Sequence, residues 1–109
     1  MAYIPDKIKE RLFKNWGVMA ETFQCNAEVR LYDALSCWEC YLLAINPENE
    51  DEAFIFSIDE MRHLEIGIDS LSHILSTWNS EGEFMEIDGT FVPRKANALL
   101  EILKQRYPF

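Results

Sequence analysis

The sequence predicts an α+β domain: an antiparallel sheet meander with helices packed on one face, in the order α-ββββ-α-ββ-α. Three observations carry this. Between Glu28 and Ile68 the chain breaks into apolar or alternating segments of strand length, joined by short polar connections. Short connections favour antiparallel neighbours, because a parallel pair needs a long crossover. Apolar residues recur at helical spacing before this stretch, after it and near the C-terminal end. The 109 residues, 49% of them apolar, suit one domain (1–109) with a core of moderate size rather than a large enclosed active site.

The first helix is expected over Tyr3–Trp16. Pro5 suits a first turn, where its missing N–H costs nothing. Ile4, Ile8, Leu12 and Trp16 form one stripe, and Gly17 is a candidate stop. Val18–Asn26 shows no clear period and reads as coil. Ala27–Asp33 alternates, with Ala27, Val29 and Leu31 on one side, so a half-buried strand is expected. Cys37–Ile45 is apolar and aromatic on both sides, the mark of a central strand. Asn46–Asp51 is a turn, with Pro and Asn as breakers. Ala53–Ile58 and His63–Ile68 are the third and fourth strands. Asp69 is a candidate N-cap for a helix over Ser70–Trp78, with Leu71, Ile74, Leu75 and Trp78 as its stripe. Asp88-Gly89 is a strong hairpin signal between Phe84–Ile87 and Thr90–Val92. Pro93 opens a last helix to about Arg106, with Ala96, Leu99, Leu100 and Leu103 buried. Lys104 and Arg106 in its last turn complement the helix dipole.

Charge is unevenly spread. The formal net charge is −9, and residues 15–90 hold only Arg30 and Arg62 against sixteen acids. Both ends are mildly basic. Such a field repels nucleic acid and attracts basic protein surfaces. No apolar run is long enough to span a membrane, and the charged N-terminal stretch lacks the layout of a secretory signal. Three cysteines fit reduced thiols in a cytoplasmic protein.

Individual motifs offer little chemistry. Cys37-Trp-Glu-Cys40 has redox spacing, but on a strand its two thiols point to opposite faces. A zinc site would need a second pair, and Cys25, His63 and His73 are scattered. Neither histidine sits beside a nucleophile motif, and the four glycines are isolated. Asp59 and Glu60 lie in a turn, where two carboxylates cannot be driven to different pKa values. The segment NPENEDEA lacks the central Gly of a calcium loop. Trp38, Tyr41, Phe54 and Phe56 are core candidates. A base-stacking sheet face would need basic neighbours that are missing here. No catalytic residue, cofactor site or metal site is expected.

The middle of the chain also carries a resemblance. EVRLYD, then CWECYLLAINPENEDEAFIF, then EIGIDSL and a late EIDGTFVP follow a pattern of tryptophan strand, acidic turn, Phe strand and Glu-x-Gly leading to a helix. This resembles a family of small uncharacterised proteins of bacterial plasmids and conjugative elements. The chain departs from it where Ile66 and Ile68 flank Gly67 in place of an aromatic, and where Glu-Ile-Asp replaces an Arg-Asp pair. The resemblance implies a mobile-element context, in which anti-defence proteins are common, and assigns no functional residue.

The sequence therefore points to a small acidic non-catalytic binding protein, an inhibitor or modulator occupying a basic, nucleic-acid-binding surface of a partner protein. Anti-CRISPR and anti-restriction proteins are the expected type. The candidate contact residues are Glu28, Glu39 and Glu65 on the outer sheet face and Glu48, Glu50, Asp51 and Glu52 in the acidic turn. Two alternatives stand beside it. One is an accessory interaction module, homodimeric through exposed aromatics and an edge strand. The other is an enzyme with His63 or His73 in a deep pocket beside a carboxylate.

Overall fold

The computed structural model describes residues 3–33, 35–77 and 85–107. The order is α1 (Asp6–Thr22), β1 (Asn26–Ala27), β2 (Val29–Tyr32), β3 (Glu39–Asn46), β4 (Asn49–Ile58), β5 (Leu64–Ser70), α2 (Leu71–Ser76), β6 (Glu86–Ile87), β7 (Arg94–Lys95) and α3 (Ala96–Arg106). The fold is α+β. Its main sheet has five antiparallel strands in the order β5-β4-β3-β2-β6, and β1 pairs with β7 in a separate small ladder.

Helix α1 opens where the Pro5 carbonyl accepts from the Ile8 and Lys9 amides at 3.1 and 3.0 Å. It does not stop at Gly17. A single Gly in a helix interior costs only about 0.5–1 kcal/mol relative to Ala, and the helix runs on through residues expected as coil. It ends at Phe23, which adopts left-handed backbone at φ 50°. That conformation is costly for a non-glycine residue. Ring packing offsets it, since Phe23 lies 5.8 Å from Phe54 and 5.7 Å from Phe56.

The strands shift from their expected limits for local reasons. Cys37 has φ 61°, so β3 starts later, at Glu39. The turn before β4 shrinks to Pro47-Glu48, with the Asn46 side chain accepting from the Glu48 amide at 2.9 Å. Asp88-Gly89 does turn the chain: Asp88 Oδ1 accepts from the Thr90 amide at 2.9 Å and its hydroxyl at 2.6 Å. The expected hairpin is nevertheless corrected. Glu86–Ile87 pairs with β2, whereas Arg94–Lys95 pairs with β1. The turn therefore joins two sheets, and α3 begins only after β7, at Ala96. Helix α2 is capped by Ser70 rather than Asp69, with Ser70 Oγ accepting from the His73 amide at 3.2 Å. Phe84 and Trp78, expected in a strand and in this helix, lie outside the described residues.

The helices cover both faces of the sheet, which corrects the expected one-sided cover. The paired residues Leu42 and Ile55 pack with Leu12 of α1 and with Leu71 and Ile74 of α2. Their neighbours Tyr41 and Phe56, also a pair, pack with Leu99, Leu100 and Leu103 of α3. Adjacent strand positions point to opposite faces, so α1 and α2 lie on one side and α3 on the other. The reason is β3 itself. A strand apolar on both faces must be covered on both.

One irregularity in β3 fixes how the layers meet. The β3–β4 register jumps between Leu42 and Ala44, leaving Leu43 as a bulge. Leu43 and Ala44 consequently face the same α3 side. The Leu43 carbonyl accepts from Asn15 Nδ2 of α1 at 2.9 Å, and the same nitrogen donates to the Asn26 carbonyl at 3.2 Å. Replacing Asn15 with Ala leaves the carbonyl of a buried central-strand residue without this donor. Urea denaturation should show a loss of about 1–3 kcal/mol. A loss below about 0.5 kcal/mol, the range of a neutral surface change, would mean that the bridge is dispensable.

Candidate functional site

Among the described residues strand β5 is an edge strand, and its side chains alternate. Leu64 and Ile66 turn toward α3 and Phe56, while Glu65, Gly67 and Asp69 turn toward the α1/α2 side. Glu65 lies opposite Ser57 and Asp69 opposite Ala53. Between this edge, α2 and the segment around Trp38 the surface sinks into a cleft of about 270 Å³. Five carboxylates line it: Asp33, Asp59, Glu60, Glu65 and Asp69. Trp38 and Ile74 supply apolar wall, and His73 and Thr77 close one side. Among the described residues no Lys or Arg lines the cleft.

Local hydrogen bonds hold several of these acids. Asp59 Oδ1 accepts from the His63 amide at 2.8 Å, inside a tight turn where Arg62 has φ 65°. Asp33 accepts from the Leu35 amide at 3.1 Å and the Ser36 hydroxyl at 2.7 Å. Asp69 Oδ1 accepts from the Ser70 amide at 2.7 Å. The Glu65 carboxylate takes no hydrogen bond from the described residues, and the residue is exposed. Both histidines are exposed. His73 lines the cleft, but among the described residues no hydrogen bond links either histidine ring to a carboxylate. Among the same residues no group of three or more His, Cys, Asp or Glu is placed to hold a metal ion.

Only one of the expected contact residues reaches this cleft, Glu65. Glu28 is corrected outright. It is 6% exposed, and its Oε2 has no hydrogen-bond partner among the described residues, with Arg11 Nε 3.5 Å away. Glu39 lies on the α3 face, because it pairs with Ile58, so it cannot share an outer surface with Glu65. It is also occupied: Arg30 Nε donates to Glu39 Oε1 at 3.0 Å, while Arg30 Nη1 reaches Asp88 Oδ2 at 3.0 Å. Burial works against the Arg30 charge, but the hydrogen bond and charge of Glu39 outweigh it and hold the guanidinium more firmly protonated than usual.

The expected acidic turn is mostly strand. Glu48 is at the exposed hairpin tip and Glu50 is exposed beside it. The β3–β4 register passes from Ile45↔Ala53 to Asn46↔Asn49, so Glu50, Asp51 and Glu52 have no partners on β3. Two of them work structurally. Asp51 accepts from the Ser72 amide and the Ser70 hydroxyl, each at 2.8 Å, and so ties β4 to the start of α2. Glu52 accepts from Asn49 Nδ2 at 3.0 Å.

Asp33, Asp59, Glu60 and Asp69 were not among the expected contact residues. A partial signal exists in the sequence. Glu65 and Asp69 are four apart on a strand, hence on one side, with a glycine between them. Asp33 and Asp59 come from other elements, and only the folded sheet brings them near. The cysteines remain apart from any site. All three are free. Cys37 is exposed and precedes β3, whereas Cys40 is buried and its thiol is pushed up by desolvation.

No family model matches the chain, and neither does any curated protein or solved structure. Among the described residues no helix is long and apolar enough to cross a membrane.

The Asp51 contacts give a pH dependence. The Ser72 amide and hydroxyl, followed by the Ser70 hydroxyl, hold the Asp51 carboxyl below its ordinary range. A depressed folded value contributes stability that is present above the unfolded value, about 3.9, and is lost as pH falls through the folded one. Asp51→Asn should therefore lower Tm near neutral pH, with the gap to the parent protein closing below about pH 4. Thermal denaturation across pH checks this. A gap that stays constant into acid would assign the effect to shape rather than charge.

Proposed function

We propose that the protein is a small non-catalytic binding protein whose acidic cleft engages a basic surface of a partner protein, of the kind that otherwise holds nucleic acid, and so inhibits or modulates that partner. The observation supporting this reading is the cleft itself: five carboxylates in one depression with no cation on its walls. A concave surface of one sign focuses its field and draws in the opposite charge. The half-buried Trp38 ring offers a face on which a guanidinium can lie. The same field repels phosphate, so the partner is a protein rather than a nucleic acid. Complementary charge of this kind raises the association rate and excludes wrong partners more than it deepens affinity.

Neither arginine of the acidic stretch lines the cleft, although Arg62 has only uncharged partners among the described residues and keeps its positive charge nearby. Arg30 is held by Glu39 and Asp88. Arg62 donates to the Cys37 carbonyl and the Tyr107 hydroxyl, each at 2.8 Å, and lies over the Tyr107 ring at 4.8 Å. An anti-restriction or anti-CRISPR role in a cytoplasmic, mobile-element setting is the specific form of this proposal. It rests on the sequence resemblance and on the basic channels such nucleases present.

Calorimetric titration with an arginine-rich peptide tests the cleft. Binding is expected at low salt and should weaken as the ionic strength rises toward about 0.5 M. The triple variant Glu60→Gln, Glu65→Gln, Asp69→Asn should bind at least about tenfold more weakly, or about 1.4 kcal/mol. Glu101→Gln, on exposed α3 surface away from the cleft, should bind as the parent does. Equal losses in both variants would remove the cleft as the binding site, and no binding at low salt would remove the proposal.

A further inference from the structure

The outer edge of β5 is unpaired among the described residues: the sheet order ends there, and the β4–β5 register runs without a break from Glu52↔Ser70 to Ile58↔Leu64. An unpaired edge of seven residues is an open template for another strand unless Lys, Pro or a bulge protects it. The segment LEIGIDS contains no Lys or Pro, and no bulge interrupts it. The opposite edge, β6, is only two residues long.

The direction of the free groups can be derived. The Asp59 amide donates to the His63 carbonyl at 3.0 Å, which makes Asp59 and His63 a bonded position of the ladder. Bonded and non-bonded positions alternate in an antiparallel pair. Glu65, Gly67 and Asp69 therefore spend their amides and carbonyls on β4, and Leu64, Ile66 and Ile68 point theirs outward. The side chains of these same three residues lie in one row toward the α3 side. Ile68 in that row is 57% exposed, an apolar side chain at an edge that no described residue covers.

We propose that β5 pairs with β5 of a second copy, antiparallel, about a two-fold axis at Ile66. In that register Leu64 meets the partner's Ile68 and Ile66 meets the partner's Ile66. All three outward residues are then used, for about six hydrogen bonds. On the other face Glu65 meets the partner's Gly67, and His63 stands opposite the partner's Asp69. Acid never faces acid. A two-fold at Gly67 would set Glu65 against the partner's Asp69 twice, and like charges directly opposite destabilise a ladder. It would also call on the Ser70 amide, which Asp69 Oδ1 already holds at 2.7 Å. A two-fold at Glu65 would set Glu65 on Glu65. The pattern of residues thus selects a second copy and one register, giving a closed, isologous dimer with a continuous ten-stranded sheet.

Gly67 makes the test sharp, because a side chain there has open space and leaves the β4 ladder intact. Sedimentation equilibrium of the full chain should show a concentration-dependent monomer–dimer equilibrium. Gly67→Lys, opposite the partner's Glu65, should tighten it by about threefold to tenfold, and Gly67→Glu should loosen it by a similar factor. Ile68→Pro removes one outward amide and should give monomers. Should that variant fail to fold, the two Gly67 variants still decide the matter. Added salt should strengthen the dimer by screening two acidic copies, whereas it weakens capture of a basic peptide, so the sign of the salt effect tells this contact from the cleft reading although Glu65 and Asp69 belong to both. A parent protein that stays monomeric up to about 1 mM, the weakest association worth testing, would overturn the proposal, and so would dissociation by Gly67→Lys.

Discussion

The structure depends on the carbonyl of Leu43. It belongs to the middle of β3, the strand that is buried on both faces, and the bulge there takes it out of the ladder with β4. A buried backbone carbonyl without a partner costs about 1–3 kcal/mol, and the side chain of Asn15 meets that need from α1. The same amide nitrogen holds Asn26, the first residue of β1. One side chain thus sets the depth of α1 on the sheet and the point at which the chain enters β1. Strand β1 then pairs with β7, and β7 leads directly into α3 on the other face. The two helical layers communicate through this hinge of Asn15, β1 and β7 rather than through the five-stranded sheet alone.

What was legible in the sequence follows from how local each signal is. The strands of the meander, the stripes of α1 and α3 and the tight turn at Asp88 depend on neighbours within a few residues, and each is present near its expected place. The misreadings came from longer-range partners. Gly17 looked like a stop, but helix α1 continues until Phe23 finds Phe54 and Phe56. Asp88-Gly89 looked like a hairpin, but the segments it joins are claimed by β2 and β1. The apolar run on both sides of β3 already required two covering layers, and one-sided cover did not follow from it. For the cleft, Glu65 was legible by alternation. Glu28 was not, because the alternating pattern placed it on the solvent side, whereas it is buried with Arg11 beside it.

Charge explains why acids can crowd this sheet without unfolding it. The acids of β4 sit at its start, where the strand has left β3 and faces solvent or α2, and not in the apolar half that follows Ala53. Asp51 and Glu52 are anchored by hydrogen bonds to Ser70, Ser72 and Asn49, so their charge does work for the fold. Glu39 and Asp88 share the single positive charge of Arg30, which also lies over Tyr32 at 5.0 Å. Apart from these and from Glu50 and Glu86 at the two ends of the sheet, the strand carboxylates at the surface, Glu65 and Asp69, lie in the cleft beside β5.

Gly67 lies on the β5 edge between two residues of the cleft, Glu65 and Asp69. Its backbone does not require glycine, since it lies in regular strand paired with Ile55, and a side chain there would meet nothing within 4 Å. A glycine in a strand interior gives up packing and entropy that a β-branched residue would keep, on the order of 0.5–1 kcal/mol. Among the described residues nothing packs into the space that the missing side chain leaves. The glycine's effects lie outside: a missing side chain between Glu65 and Asp69 leaves a small hollow over Ile55 and Ser57, next to the acidic cleft and separate from it, and it leaves β5 narrow at its centre, where another backbone can approach. Both consequences concern what the protein meets rather than how it folds. The β5 edge, more than the acidic hairpin tip, is therefore where the chain departs from what stability alone would select, and such departures are expected at working surfaces.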